Sequence, residues 1–293
     1  MSQPTDQAAS LRRMAQARKK ESLRRGRVIA VTSGKGGVGK TNTVANLAWW
    51  LCKAGQKVLV FDADLGLANM DILLGITPSY NIGDVLAGRC QLRDTLVAGP
   101  GGMQIIPAGS GLEELTRLEE SQFTSLLQQA EELEDFDIML IDTGAGISGV
   151  VTNFLVAADE ILVITTPEPT AFTDAYAMLK LMMVKYEKTH LKLLVNMAQN
   201  PADAQQVHMK MSMMLKRFLK CEVPFLGYII QDETLLKCVR KQKLVSEAFP
   251  ASPASKCYAQ VVKSLLGEAS SDVIETSPSN FSSFMKKLIG GRR

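Results

Sequence analysis

The chain has 293 residues, a net charge of +3 and 46% apolar residues, enough for one large α/β domain or two smaller ones. No apolar run approaches the roughly eighteen residues of a membrane-spanning helix, and the polar, basic start lacks the apolar region of a signal peptide, so a cytoplasmic protein is expected. The charge is uneven: residues 1–27 carry eight Lys/Arg against Asp6 and Glu21, and Lys286, Lys287, Arg292 and Arg293 follow at the other end, leaving an acidic body between. Such a body does not coat DNA unaided, while basic ends suit an acidic surface. Five scattered cysteines without a C-x-x-C pair read as free thiols.

In chain order, residues 6–25 hold good helix formers and no Gly or Pro but few apolar positions, so this segment is expected to fold on a partner. Arg27 to Thr32 is a short apolar, β-branched run, the pattern of a buried parallel strand. Gly34-Lys35-Gly36-Gly37-Val38-Gly39-Lys40-Thr41 comes next, followed by a helix over 41–54 with Gly55 at its end. Gly, four residues, then Gly-Lys-Thr between a strand and a helix is a phosphate-binding loop. Its glycines let backbone N–H groups turn onto phosphates at a helix N-terminus, Lys40 reaches the β- and γ-phosphates, and Thr41 is a magnesium ligand. Asn42 opens the helix beside it and completes the nucleotide-contacting run. Lys35 is one cation more than the loop requires, and its position suggests a site completed across a dimer.

Further strands are predicted at 58–61, 103–106, 138–141, 161–164, 193–195 and 225–229, and helices near 120–133, 171–187, 203–219, 233–242 and 254–266. This alternation predicts one α/β domain with a mainly parallel central sheet and helices on both faces. In the helix at 203–219, Val207, Met211, Met214, Leu215 and Phe218 fall on one stripe and are expected to pack. Asp62 and Asp64 end the second strand and Asp142 ends the fourth, at the carboxyl edge where ligands bind in open parallel sheets. Asp142 follows four apolar residues as a Walker B acid does, to hold Mg2+ through water or set the switch behind it. Asp62 and Asp64 are alternatives for metal support and water positioning.

Together, the doubled lysine of Lys35 to Thr41 and Asp62-x-Asp64-x-Gly66-Leu67-x-Asn69-x-Asp71 resemble the MinD/ParA ATPases with a deviant Walker A loop, over residues 27–266. The resemblance implies ATP and Mg2+ as cofactors and a homodimer in which Lys35 reaches the nucleotide of the other subunit. It implies that Asp64 positions the attacking water, with Lys40 catalytic and Thr41, Asp62 and Asp142 around the metal. It also implies adenine contacts through Asn196 and near Asp232, where Ile230-Gln231-Asp232 lacks the family's proline. Within the MinD branch, Asp142-Thr143-Gly144-Ala145-Gly146, Thr166-Pro167-Glu168-Pro169-Thr170 and an N-terminal Asp6-Gln7-Ala8-x-x-Leu11-Arg12 are similar to the flagellar-number group (the FlhG, FleN or YlxH proteins). That likeness implies control of flagellar number and placement, with an FlhF-like GTPase stimulated by the N-terminal element. Flagellar basal-body or regulatory proteins are further implied partners. A ParA-like DNA or cargo partition ATPase is the alternative, and the acidic body counts against it.

At the C-terminus, Phe281, Phe284, Met285, Leu288 and Ile289 recur at i, i+3, i+4, i+7 and i+8 beside basic residues. A short basic helix with an apolar face, after a Ser/Pro/acidic linker at 267–280, reads as a membrane-surface anchor. The expected organisation is therefore a basic partner-activating segment at 1–26, an ATPase domain at 27–266, the linker, and an amphipathic helix at 281–293. The ATP-bound form is expected on lipid at the inner face of the cell membrane.

Overall fold

The computed structural model describes residues 26–64, 69–107, 109, 120–133, 136–268 and 281–290; Asp6, Gln7, Ala8, Leu11, Arg12 and most of the linker lie outside them. Eight strands form one sheet: β1 (Arg27–Thr32), β2 (Val58–Ala63), β3 (Val97–Ala98), β4 (Gln104–Pro107), β5 (Ile138–Thr143), β6 (Glu160–Thr165), β7 (Leu191–Ala198) and β8 (Phe225–Ile230). Their order is β3-β4-β2-β5-β1-β6-β7-β8, and all pairings are parallel except β3 with β4. The seven predicted strands are present. The added β3 has two residues, too few to show a period, and makes the strand ending in Asp142 the fifth.

Period-two alternation divides the core. Val28 and Ala30 of β1 face one cluster, with α4 (Glu120–Glu131), α5 (Gly149–Ala157), α6 (Pro169–Lys180) and α7 (Pro201–Leu219). Ile29 and Val31 face the other, with α1 (Lys40–Lys53), α2 (Met70–Leu74), α8 (Glu233–Val239), α9 (Val245–Ala248) and α10 (Pro253–Glu268). The short α3 (Ile82–Leu86) joins the first face through Ile82 and Val85. On α7, Val207, Met211 and Leu215 are buried as expected, but Phe218 is 60% exposed. It lies in the last turn with its ring turned outward under the Arg217 guanidinium, while the neighbouring Leu219 packs against the core instead.

The last helix, α11 (Phe281–Gly290), lies against α4 and α5. Phe281, Phe284, Met285 and Leu288 are buried in the first core cluster, with Ile289 packed against it. Phe284 packs on Phe154 of α5 with ring centroids 6.1 Å apart and planes tilted by 34°, and Phe281 meets Phe61 of β2 edge-on at 6.3 Å. Lys286 pairs with Glu131 at 3.3 Å and Lys287 with Asp159 at 3.1 Å. The stripe read from sequence as lipid-facing is thus covered by the chain's own domain in this conformation. Periodicity shows that these residues share a face, not what covers that face.

At the opposite end of the sheet from the phosphate-binding loop, Glu160 pairs with Arg27 at 2.6 Å and Lys192 at 3.1 Å, joining β1, β6 and β7. There Asp159 also accepts a hydrogen bond from the Val28 backbone N–H at 3.0 Å.

Candidate nucleotide site

The loop between β1 and α1 holds the conformation its glycines allow. Gly37 and Gly39 sit at φ 81° and 85°, in the left-handed region that side chains with a Cβ rarely adopt. A Cβ on Gly39 would lie 2.5 Å from Asn196 Nδ2, and one on Gly34 only 2.2 Å from the Asp174 backbone carbon. The loop is therefore pressed between α6 and the end of β7. The Val38 side chain is buried, and its carbonyl accepts a hydrogen bond from Asn196 Nδ2 at 2.8 Å. The Ser33 carbonyl accepts from the Gly146 N–H at 2.9 Å, tying the loop to the segment after β5.

A cavity of about 560 Å³ opens at the carboxyl ends of the strands. Of the residues the sequence singled out, Gly36, Gly37, Gly39, Lys40, Thr41, Asn42, Asp64, Asn196 and Asp232 line it, and Gly34 and Val38 do not. Asn69, Leu73, Met197, Ile230, Gln231, Leu235 and Tyr258 line it as well and had not been singled out for binding. Of these, Asn69 stood in the motif after the second strand, and Ile230 and Gln231 in the altered proline segment; the others carried no sequence signal. The size and mixed lining suit a nucleotide, with phosphates at the loop and a base between β7 and α8.

The base end is more constrained than expected. Asp232 caps α8: Oδ1 accepts from the Thr234 N–H at 2.7 Å and Oδ2 from the Ala254 N–H at 3.1 Å. Asn196 accepts from the Met197 N–H at 2.9 Å while donating to Val38. An amide nitrogen has two N–H groups, so Asn196 retains one donor for a ligand.

Asp62 and Asp142 are register partners on β2 and β5. Asp62 is 3% exposed, and its oxygens accept from the Asp64 and Met70 N–H groups at 3.2 and 3.4 Å. Burial nevertheless raises its pKa to about 6. Asp142 is 1% exposed and neither of its oxygens is hydrogen-bonded. Burial first and the Asp62 charge second push its pKa up to about 7, with the nearby Thr41 hydroxyl and Lys40 charge offsetting part of the rise. A buried carboxylate without a partner, next to a second one and a threonine hydroxyl, fits a divalent cation. Among the described residues no three His, Cys, Asp or Glu side chains could hold a metal.

The pH dependence follows. Both carboxyls keep their protons to higher pH when folded than when unfolded, so the folded state binds more protons between about pH 4 and 7 and its stability falls as pH rises through that window. The expected result is a melting temperature that drops between pH 5 and 8 without divalent cation. Asp142→Asn should flatten the drop, recovering about 2–4 kcal/mol at pH 8. A wild-type slope no steeper than that of the variant would refute the assignment.

Lys35 does not line the cavity. Its Nζ donates to Glu168 Oε1 and Thr170 Oγ1, both at 2.8 Å, outside the phosphate cradle that holds Lys40.

The fold and site define a P-loop ATPase with two lysines in its loop. Comparison with known proteins agrees. The AAA domain family AAA_31 matches residues 26–195. The antiactivator FleN of Pseudomonas aeruginosa is 45% identical over 80% of this chain and 85% of its own. The flagellum site-determining protein YlxH of Helicobacter pylori is 35% identical over 89% of each chain. A structure of the septum site-determining protein MinD with Mg-ADP from Pyrococcus horikoshii superposes with a TM-score of 0.65 at 25% identity, covering 83% of this chain and 97% of that one. The chain belongs to the MinD/ParA family of ATPases, in the branch that contains these flagellar regulators.

Proposed function

We propose that this ATPase is a nucleotide-controlled membrane switch for flagellar number and placement. With ATP and Mg2+ it forms a homodimer in which Lys35 of each subunit reaches the phosphates bound by the other. Asp64 positions water, and Asp142, Asp62 and Thr41 support the cation, which neutralises phosphate charge when bound. Residues 1–26, with Asp6, Gln7, Ala8, Leu11 and Arg12, stimulate an FlhF-like GTPase. Flagellar basal-body or regulatory proteins are its other partners. The kinship with FleN and YlxH supports the flagellar role.

The membrane part of the reading rests chiefly on α5. Its N-terminus, capped by Ser148, follows the Gly144–Ile147 segment at the nucleotide site, while its Phe154 packs on Phe284 of α11. One helix thus touches both the loop that senses nucleotide and the tail stripe. That stripe buries the same side chains whether it lies on α4 and α5 or in lipid, so lipid offsets the tail's own loss on release and the cost that remains is the domain face around Phe154 that it uncovers. That difference is what the nucleotide site has to supply. Two released tails on a dimer raise avidity by about 10²–10⁴, making the dimer the membrane-bound form.

Co-sedimentation with vesicles containing anionic lipid tests this directly. Binding should be strong with a slowly hydrolysed ATP analogue and weak with ADP; equal binding in both would sink the switch. No helix among the described residues is long and apolar enough to cross a membrane.

A further inference from the structure

The ion pair at Lys35 has an unusual setting. Glu168 sits between Pro167 and Pro169. Proline fixes its own φ and confines the preceding residue to extended conformations, so the backbone bearing this carboxylate has little freedom. Pro169 begins α6, and Thr170 Oγ1 donates to Glu168 Oε1 at 2.6 Å, orienting the acceptor. On the other side, Ser33 Oγ donates to the Lys35 carbonyl at 2.8 Å, and Gly34 is wedged against Asp174 of the same helix. Both ends of the pair are therefore held by main chain, unlike an ordinary surface pair whose long side chains must be ordered for each other. Yet the Lys35 and Glu168 side chains remain 34% and 54% exposed, so the contact can open without disturbing the core. Lys35 holds the Glu168 carboxyl below its ordinary range, and the Thr170 hydroxyl assists.

We propose that Glu168, oriented by Thr170, is a positioning residue that parks Lys35 on its own subunit and must release it before the lysine can reach a second nucleotide. This deepens the dimer reading above and rests on it. The parked lysine is an alternative partner that ATP-bound dimerisation has to displace, so the pair sets how much subunit concentration the switch needs. It does not touch the phosphates held by its own subunit, so it should leave monomer nucleotide affinity alone.

The test is the dimer dissociation constant of the full chain, measured by analytical ultracentrifugation with a slowly hydrolysed ATP analogue and Mg2+, beside a titration of nucleotide affinity. Glu168→Gln should tighten the dimer by roughly 2–5-fold, the range an exposed ion pair allows, and Thr170→Val should move it in the same direction by less. Glu168→Asp, which keeps the charge, should return towards wild type. Nucleotide affinity should be unchanged in all three. If wild type dimerises but Glu168→Gln leaves the constant where it was, or weakens the dimer, the parking role is overturned. If wild type stays monomeric at every concentration reached, the dimer reading fails, and the parking role with it.

Discussion

Lys35→Ala is expected to bind ATP within about twofold of wild type, to remain monomeric, and to hydrolyse about 10²–10³-fold more slowly, the cost of removing one preorganised charge from a developing transition state. The reason is geometric. Lys40 is 7% exposed within the nucleotide cavity, whereas Lys35 points to α6 and contributes nothing to that cavity. Binding and turnover should therefore separate cleanly. Titration with a fluorescent ATP analogue, steady-state hydrolysis and light scattering measure the three properties. A variant that loses nucleotide affinity tenfold would place Lys35 in its own subunit's site; one that hydrolyses normally would remove it from catalysis.

Phe154→Ala should release the tail without altering the tail. The ring packs between Phe61 at 5.8 Å and Phe284 at 6.1 Å, and its loss from a buried position costs about 3–5 kcal/mol. Hydrogen exchange over residues 281–290 should accelerate by about 10²-fold or more, and the ADP-bound variant should sediment with anionic vesicles as wild type does only with ATP. Phe284→Asp separates this from general unfolding: it should also free the helix, but without giving vesicle binding, because the stripe itself is broken. Slow exchange of the tail in Phe154→Ala, in a protein that still melts cooperatively, would show that the docking energy lies elsewhere.

How legible these features were depends on how local their causes are. The phosphate loop is fixed by spacing and by conformations only glycine takes readily, so Gly37, Gly39, Lys40 and Thr41 were readable where they stand. The long strands announced themselves as apolar runs, and their carboxyl ends located Asp62, Asp64 and Asp142. Helix α5 escaped because Gly149 to Ala157 is apolar nearly throughout, and an element buried on most sides shows no helical stripe. The brief α2 and α3 have too few turns for a period to emerge. Asp232 lines the cavity, but it also holds the Thr234 N–H that opens α8 and the Ala254 N–H, and the second of these lies too far along the chain for any local pattern to show. Glu168 stood in a motif that was noticed; what it holds became visible only once β1 and α6 were side by side.

Asp159 lies at the far end of the sheet, about 20 Å along a six-residue strand from the phosphate loop. One of its oxygens takes the N–H of Val28, where the chain first enters the sheet, and the other takes Lys287 of the final helix. The first strand and the last helix are thus moored to a single carboxylate. A load applied through the segment ahead of Arg27 bears on the mooring of the tail without passing through the nucleotide.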